Sequence, residues 1–168
     1  MNKIKLNGVV AHLLLVGWML VIFMFSAQPG DVSQEISGGL SHLCMQVLND
    51  LFGLGWSDLK ELQLAEIWDY PIRKLAHMTE FGILAMLFYW ALGSYNVRIS
   101  GLKKRYLYAW LLAIVYAASD EFHQLFVPNR DGNLLDVAVD GIGAMIALLF
   151  VFFFMCLVRK KGATNKGK

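Results

Sequence analysis

The sequence predicts an all-α membrane protein, a bundle of four transmembrane helices with both termini cytoplasmic and short interfacial helices in the first extracytoplasmic loop. Three observations predict it. The 168 residues are 57% hydrophobic and only 17% charged, against roughly 45–50% and about 25% in soluble domains. Four apolar stretches are each long enough to cross about 30 Å of hydrocarbon. The charges are also segregated along the chain, which reads from 1 to 168 as one domain.

The first stretch runs from Val9 to about Phe25 and follows Lys3 and Lys5. Basic residues before an apolar run also mark signal peptides. This run is long, however, and bulky Phe25 stands where a cleavage site wants a small residue, so it reads as an uncleaved anchor. The second runs from Pro71 to Ser94, and Asp69-Tyr70-Pro71 puts proline in its first turn, where the missing N–H costs nothing. The third runs from Tyr106 to about Phe126 and the fourth from Leu134 to Val158. Between them Val127-Pro128-Asn129-Arg130-Asp131-Gly132-Asn133 is a cluster of turn formers.

The segment before the second span has its own pattern. Val32, Ile36, Leu40, Leu43, Val47 and Leu51 recur at steps of three and four, an amphipathic helical stripe. Asp31 with Gln34 resembles a capping box at its start; Gly38-Gly39 weakens it, and Gly53 and Gly55 end it. A second short helix is expected over about Ser57 to Trp68. The two would lie in the outer interface and shield the bundle, or form a lid over a lipidic substrate.

Charge decides orientation. Lys3, Lys5, Arg98, Lys103, Lys104, Arg105, Arg159, Lys160, Lys161, Lys166 and Lys168 fall in the N-terminus, the Asn96–Arg105 loop and the C-terminal tail, with no acidic residue among them. All thirteen carboxylates lie in the remainder. The positive-inside rule therefore puts both termini in the cytoplasm of a multi-pass plasma-membrane protein. Topology and attraction to anionic lipid explain these basic residues, so no nucleic-acid partner is expected. Cys44 and Cys156 then lie on opposite sides, which argues against a disulfide.

Ionisable residues at membrane depth are expensive and usually face a bundle interior or a wet cavity. Three clusters qualify. Lys74, His77 and Glu80 follow one another at steps of three in the second span. Asp120, His123 and Gln124 share a face of the third, with Glu121 turned about 100° away. Asn133, Asp136 and Asp140 lie on the fourth, where Gly141, Gly143 and Ala144 permit close helix approach. Topology brings all three to the outer half, with Arg130 on the connecting turn. Either they form a buried network that fixes helix register, or they line an outward-facing pocket.

Two chemistries compete for such a pocket. His77, Glu80, Asp120, Glu121, His123 and Asp136 are the candidate catalytic residues. A histidine with adjacent carboxylates serves as a general base, with Arg130 and Lys74 binding an anionic head group; Gln124 and Asp140 are further candidate binding residues. Alternatively His77, Glu80, Asp120, His123 and Asp136 hold a divalent metal such as zinc, manganese or magnesium, although their spacing is no known metal signature. Ser119 is an unconvincing nucleophile, since a helical serine more often bonds its own backbone. His12 and His42 are lone histidines and read as structural.

At these residues the sequence resembles the VanZ-like family, bacterial membrane proteins named for a teicoplanin-resistance accessory protein. The resemblance rests on Phe25-Ser26-Ala27-Gln28-Pro29, on Lys74-x-x-His77 with Glu80-Phe81-Gly82, and on Asp120-Glu121-x-x-Gln124-x-Phe126-x-Pro128-x-Arg130. It ends with Asp136 and Asp140-x-x-Gly143. The chain departs at Asn129, where the family usually has glycine, a mild change because asparagine tolerates left-handed turns. It departs again at Asp140, where the family often has an amide. The resemblance implies a cell-envelope role and reduced sensitivity to glycopeptide antibiotics, without supplying a reaction. The expected partners are the lipid bilayer and a lipid-linked envelope precursor or lipid head group. Oligomeric state and catalysis are left open.

Overall fold

The structure, a computed structural model, describes residues 3–94 and 102–164, and the side chains of 7–94 and 103–158. Arg98, Lys166, Lys168 and most of the Asn96–Arg105 loop lie outside the described residues, as do the side chains of Lys3, Lys5, Arg159, Lys160 and Lys161. Among the described residues there are five helices and no strand: α1 (Lys3–Ser26), α2 (Gly30–Phe52), α3 (Asp58–Ser94), α4 (Leu102–Gln124) and α5 (Leu134–Thr164).

Specific contacts set the directions of four of them. The Trp18 indole of α1 donates to the Glu80 carbonyl of α3 at 2.9 Å, and Gly8 faces Ser94, so α1 and α3 are antiparallel. The Tyr116 hydroxyl donates to the Met19 carbonyl at 2.7 Å, and the His123 ring lies 4.8 Å from Phe23, so α4 runs parallel to α1. Lys74 meets Asp136 and Gly82 meets Ala147, so α5 runs parallel to α3. The end of α1, the end of α4 and the start of α5 therefore gather at one end of the bundle. That end carries the site.

Small residues make the packing close. Ala11, Ala85, Ala91, Ala109, Ala113, Ala117 and Ala144 are buried beside Leu84, Phe81 and Tyr89. At Gly143 a Cβ would collide with the Met78 backbone, so this position brings α5 against α3 as its small-residue spacing predicts. Large apolar side chains instead cover the outside: Leu13, Met24, Phe150 and Phe153 are all more than 60% exposed. Asn7–Ser26, Asp58–Ser94 and Leu134–Val158 are long and apolar enough to cross a membrane. α4 has the length for it, 23 residues, but carries Lys103-Lys104-Arg105 at one end and Asp120-Glu121 at the other.

The expected break between a short helix ending at Trp68 and a span beginning at Pro71 is absent; α3 is continuous over 37 residues, with Pro71 inside it. Proline deletes one N–H, whose partner would be the Ile67 carbonyl, and Ile67 faces outward. Arg73 donates to Asp69 at 2.6 Å one turn earlier, bridging the proline, and Ser41 of α2 donates to the same carboxylate at 3.0 Å. These bonds hold the helix where the local signal would end it. At about 1.5 Å per residue α3 exceeds the hydrocarbon thickness by more than 20 Å, and α2 lies along the excess.

α2 begins two residues earlier than the capping-box reading requires. Pro29 is the N-cap and no side chain caps it, because Asp31 already lies inside the first turn. There its charge favours the positive end of the helix dipole. Gly38 and Gly39 do not interrupt the helix, and Gly53 ends it in a left-handed conformation with φ of 60°. The apolar stripe exists but faces away from the protein, Val32 through Leu51 being 40–72% exposed. The polar face packs inward. Ser41 and Met45 are buried against α3, and Asn49 donates to Glu61 at 2.7 Å.

Arg105 is more than a topological charge. Its Nε donates to the Tyr89 carbonyl at 2.6 Å and its guanidinium sits 3.8 Å above the Tyr89 ring. The absent side chain of Gly93 leaves it room.

Candidate functional site

The α1–α2 corner and the α4–α5 turn form one joint. Asn129 adopts a left-handed φ of 57°, the conformation asparagine tolerates. The Gly30 N–H donates to the Pro128 carbonyl at 3.0 Å, and a side chain at Gly30 would run into the Asn129 backbone. Arg130 then reaches back to α1. Its Nε donates to the Gln28 carbonyl at 3.2 Å and its Nη2 to the Phe25 carbonyl at 3.1 Å, which also accepts the Gln28 N–H at 3.3 Å. Burial and the nearby Arg73 push the Arg130 guanidinium below its usual pKa, while Asp120, Glu121 and Glu80 oppose them; a guanidinium stays charged regardless.

Inside the joint lies a cavity of about 180 Å³, bordered by Ser26 of α1, Ile36 and Leu40 of α2, Arg73, His77 and Glu80 of α3, Asp120 of α4, and Arg130. Its walls are mainly apolar and its titratable groups come from helices far apart in sequence. His77 Nδ1 and Glu80 Oε2 are 3.9 Å apart, an ion-pair separation rather than a hydrogen bond. Ser26 is buried beside Asp120. Arg73 gives one nitrogen to Asp69, while its Nε is buried without a partner.

A larger polar cavity of about 570 Å³ adjoins it, with Tyr70, Arg73, Lys74, Gln124, Arg130 and Asp136 among its walls. Lys74 Nζ and Asp136 Oδ1 pair at 2.5 Å, and the ammonium lies 5.2 Å from the Tyr70 ring centre. Arg73 and Arg130 border both cavities and so stand at the passage between them.

The structure thus brings His77, Glu80, Asp120 and Arg130 around the inner cavity and Lys74, Gln124 and Asp136 around the outer one. Glu121 is a fastener: its Oε2 accepts the Asn133 N–H at 2.8 Å, and Asn133 Oδ1 in turn caps α5 by accepting from Leu135. Gln124 donates to Asp120 at 3.0 Å. Asp140 is 2% exposed within the bundle and borders neither cavity. His123 turns toward Phe23, its Nε2 buried without a hydrogen bond. Asp136 is held by Lys74, so the proposed metal ligands separate, and among the described residues no three His, Cys, Asp or Glu side chains assemble to hold a metal. His12 bonds the Gly8 carbonyl at 2.8 Å and His42 lies 3.8 Å from Glu61. Both Cys44 and Cys156 are free.

Sequence reasoning missed Arg73 and Ser26. The spacing of four between Asp69 and Arg73 was a visible sign of a fixed position. Ser26 stood in the Phe25–Pro29 motif without an assigned role.

A family model described as VanZ/LLP1 matches residues 11–155. No curated protein and no solved structure matches the chain.

Proposed function

The chain belongs to the VanZ/LLP1 family, and on that premise we propose that it binds an anionic component of the bacterial cell envelope in an outward-facing polar pocket. In this reading α4 also crosses the membrane, as the third of four spans, both ends of the chain are cytoplasmic, and the joint lies in the outer half of the plasma membrane. The charge partition supports the orientation, because the start of α1, the start of α4 with Lys103-Lys104-Arg105 and the end of α5 with Arg159-Lys160-Lys161 fall at the end opposite the joint.

One observation carries the binding reading. Two adjoining cavities meet at a pair of guanidiniums, with Lys74 beside them and three titratable groups deeper in. Guanidiniums favour oxyanions through forked hydrogen bonds. An envelope precursor or lipid head group bearing phosphate has the right charge and arrives in the right place. Reduced sensitivity to glycopeptides would follow if occupancy altered that component at the cell surface.

The test is substitution of His77→Ala, Glu80→Gln and Arg73→Gln, with protein level in membranes and glycopeptide sensitivity read together. Normal protein level with lost phenotype is the expected outcome. Wild-type sensitivity from all three variants at wild-type protein level would refute the pocket.

A further inference from the structure

We infer that the gap between α1 and α2 is a side portal through which the hydrocarbon chain of an anionic amphiphile enters from the bilayer, while Arg73 and Arg130 hold its phosphate-type head. This rests on the pocket reading above and names the class of molecule and its route.

The packing leaves the portal open. Among the described residues α1 packs on α3 and α4 and α2 packs on α3, with at most a marginal contact between α1 and α2. Phe25, Ile36 and Leu40 border the inner cavity, yet they are 48%, 49% and 45% exposed. One set of apolar side chains therefore faces both the cavity and the outside. The apolar stripe of α2 continues outward from it, so a chain leaving the cavity meets hydrocarbon rather than water. A cavity with an apolar side opening and charged groups inside fits a molecule with a tail and a polar head.

The charge at the inner rim points to an anion. Arg130 makes no ion pair among the described residues; its hydrogen bonds go to two neutral carbonyls. Asp120, Glu121 and Glu80 act on this partly buried cation only from a distance, and an anionic ligand would pair with it directly. Arg73 adds a buried Nε–H without a partner, and Ser33 borders both cavities beside it. Two guanidiniums and a hydroxyl suit a group with more than two acceptor oxygens, as phosphate has. Glu80 and Asp120 lie deeper and disfavour a second negative charge beyond the rim. One anionic head at the passage, with its tail in the portal, uses all of these features.

The experiment uses the full chain in phosphatidylcholine nanodiscs and hexadecyl phosphate carrying a diazirine near the end of its tail. After irradiation, adducts should concentrate on Phe25, Ile36 and Leu40 over Phe150 and Phe153 by at least tenfold. The same tail on a phosphocholine head should label all five positions evenly. Unlabelled hexadecyl phosphate should compete at concentrations where inorganic phosphate does not. Arg73→Gln should lower portal labelling at least tenfold. Ile36→Trp, on an exposed position that leaves the fold intact, should do the same by filling the portal. Even labelling by the phosphate probe overturns the inference, as does equal competition by inorganic phosphate, which assigns the site to a free anion. If inorganic phosphate shields Arg73 from phenylglyoxal while labelling stays even, the portal fails and the pocket stands. If neither shielding nor portal labelling occurs, both fail.

Discussion

Replacing Lys74 by methionine should destabilise the bundle more than replacing Asp136 by leucine, and replacing both should cost less than either. The pair lies at 2.5 Å with side chains 20% and 27% exposed, between a surface ion pair worth about 0–1 kcal/mol and a buried pair whose one-sided removal costs about 3–5 kcal/mol. An intermediate cost of about 2 kcal/mol is expected for Lys74→Met, which strands a carboxylate at the mouth of the polar cavity. Asp136→Leu leaves an ammonium that keeps the Tyr70 ring 5.2 Å away, and a cation over an aromatic face retains about 0.5–1 kcal/mol. Its cost should be nearer 1 kcal/mol. The double variant removes both desolvation penalties and should fall within about 1 kcal/mol of wild type. Thermal unfolding followed by circular dichroism in detergent reads this. At about 2–4 °C per kcal/mol for a chain of this size, Lys74→Met should lower Tm by about 4–8 °C. Strict additivity of the two substitutions would show that the ion pair does not couple α3 to α5 and would refute the reasoning.

Three further outcomes follow from the geometry. Gly143→Leu should separate α5 from α3 and cost more than 2 kcal/mol, in line with severe overpacking. Gly17→Ala, where a Cβ meets nothing within 4 Å, should be neutral or stabilising by up to about 1 kcal/mol; equal loss of folded yield from both would contradict the packing. Asn129→Gly should be tolerated and Asn129→Val should cost about 1–2 kcal/mol, because φ is 57° there, with proteolysis of the α4–α5 turn as the readout. Glu121→Ala leaves the Asn133 N–H unpaired and should cost about 1–3 kcal/mol, with Glu121→Gln recovering most of it; indifference to alanine would deny Glu121 its fastening role.

Signals carried by neighbours in sequence were legible, and those carried by partners far away were not. Hydropathy located four bundle helices because each must bury or expose a long apolar run. The Gly143-Ala144 contact followed from residue size alone. The charged clusters converged because they lie at the ends of three segments that meet. Continuity of α3 through Pro71 was not legible, since it depends on Ser41 of another helix bonding Asp69, 28 residues away. The cap of α2 failed for a local reason: a start two residues earlier moved Asp31 from the N-cap to inside the first turn. His123 turns to Phe23 and Glu121 to the Asn133 N–H, so neither borders the two cavities, since about 100° per residue makes a helix face sensitive to small shifts in phase. Arg130 also has a structural partner. Its bond to Phe25, 105 residues distant, has no trace in any periodicity.

Everything said of function depends on which side of the membrane the joint faces. With Cys44 and Cys156 replaced by serine, single cysteines at Asp131, on the polar cavity, and at Lys103, at the opposite end, can be probed in intact cells with a membrane-impermeant maleimide. Labelling is expected at position 131, and at position 103 only after the cells are opened. Labelling of 103 in intact cells, with 131 protected until lysis, would turn the pocket toward the cytoplasm and contradict the outward-facing reading.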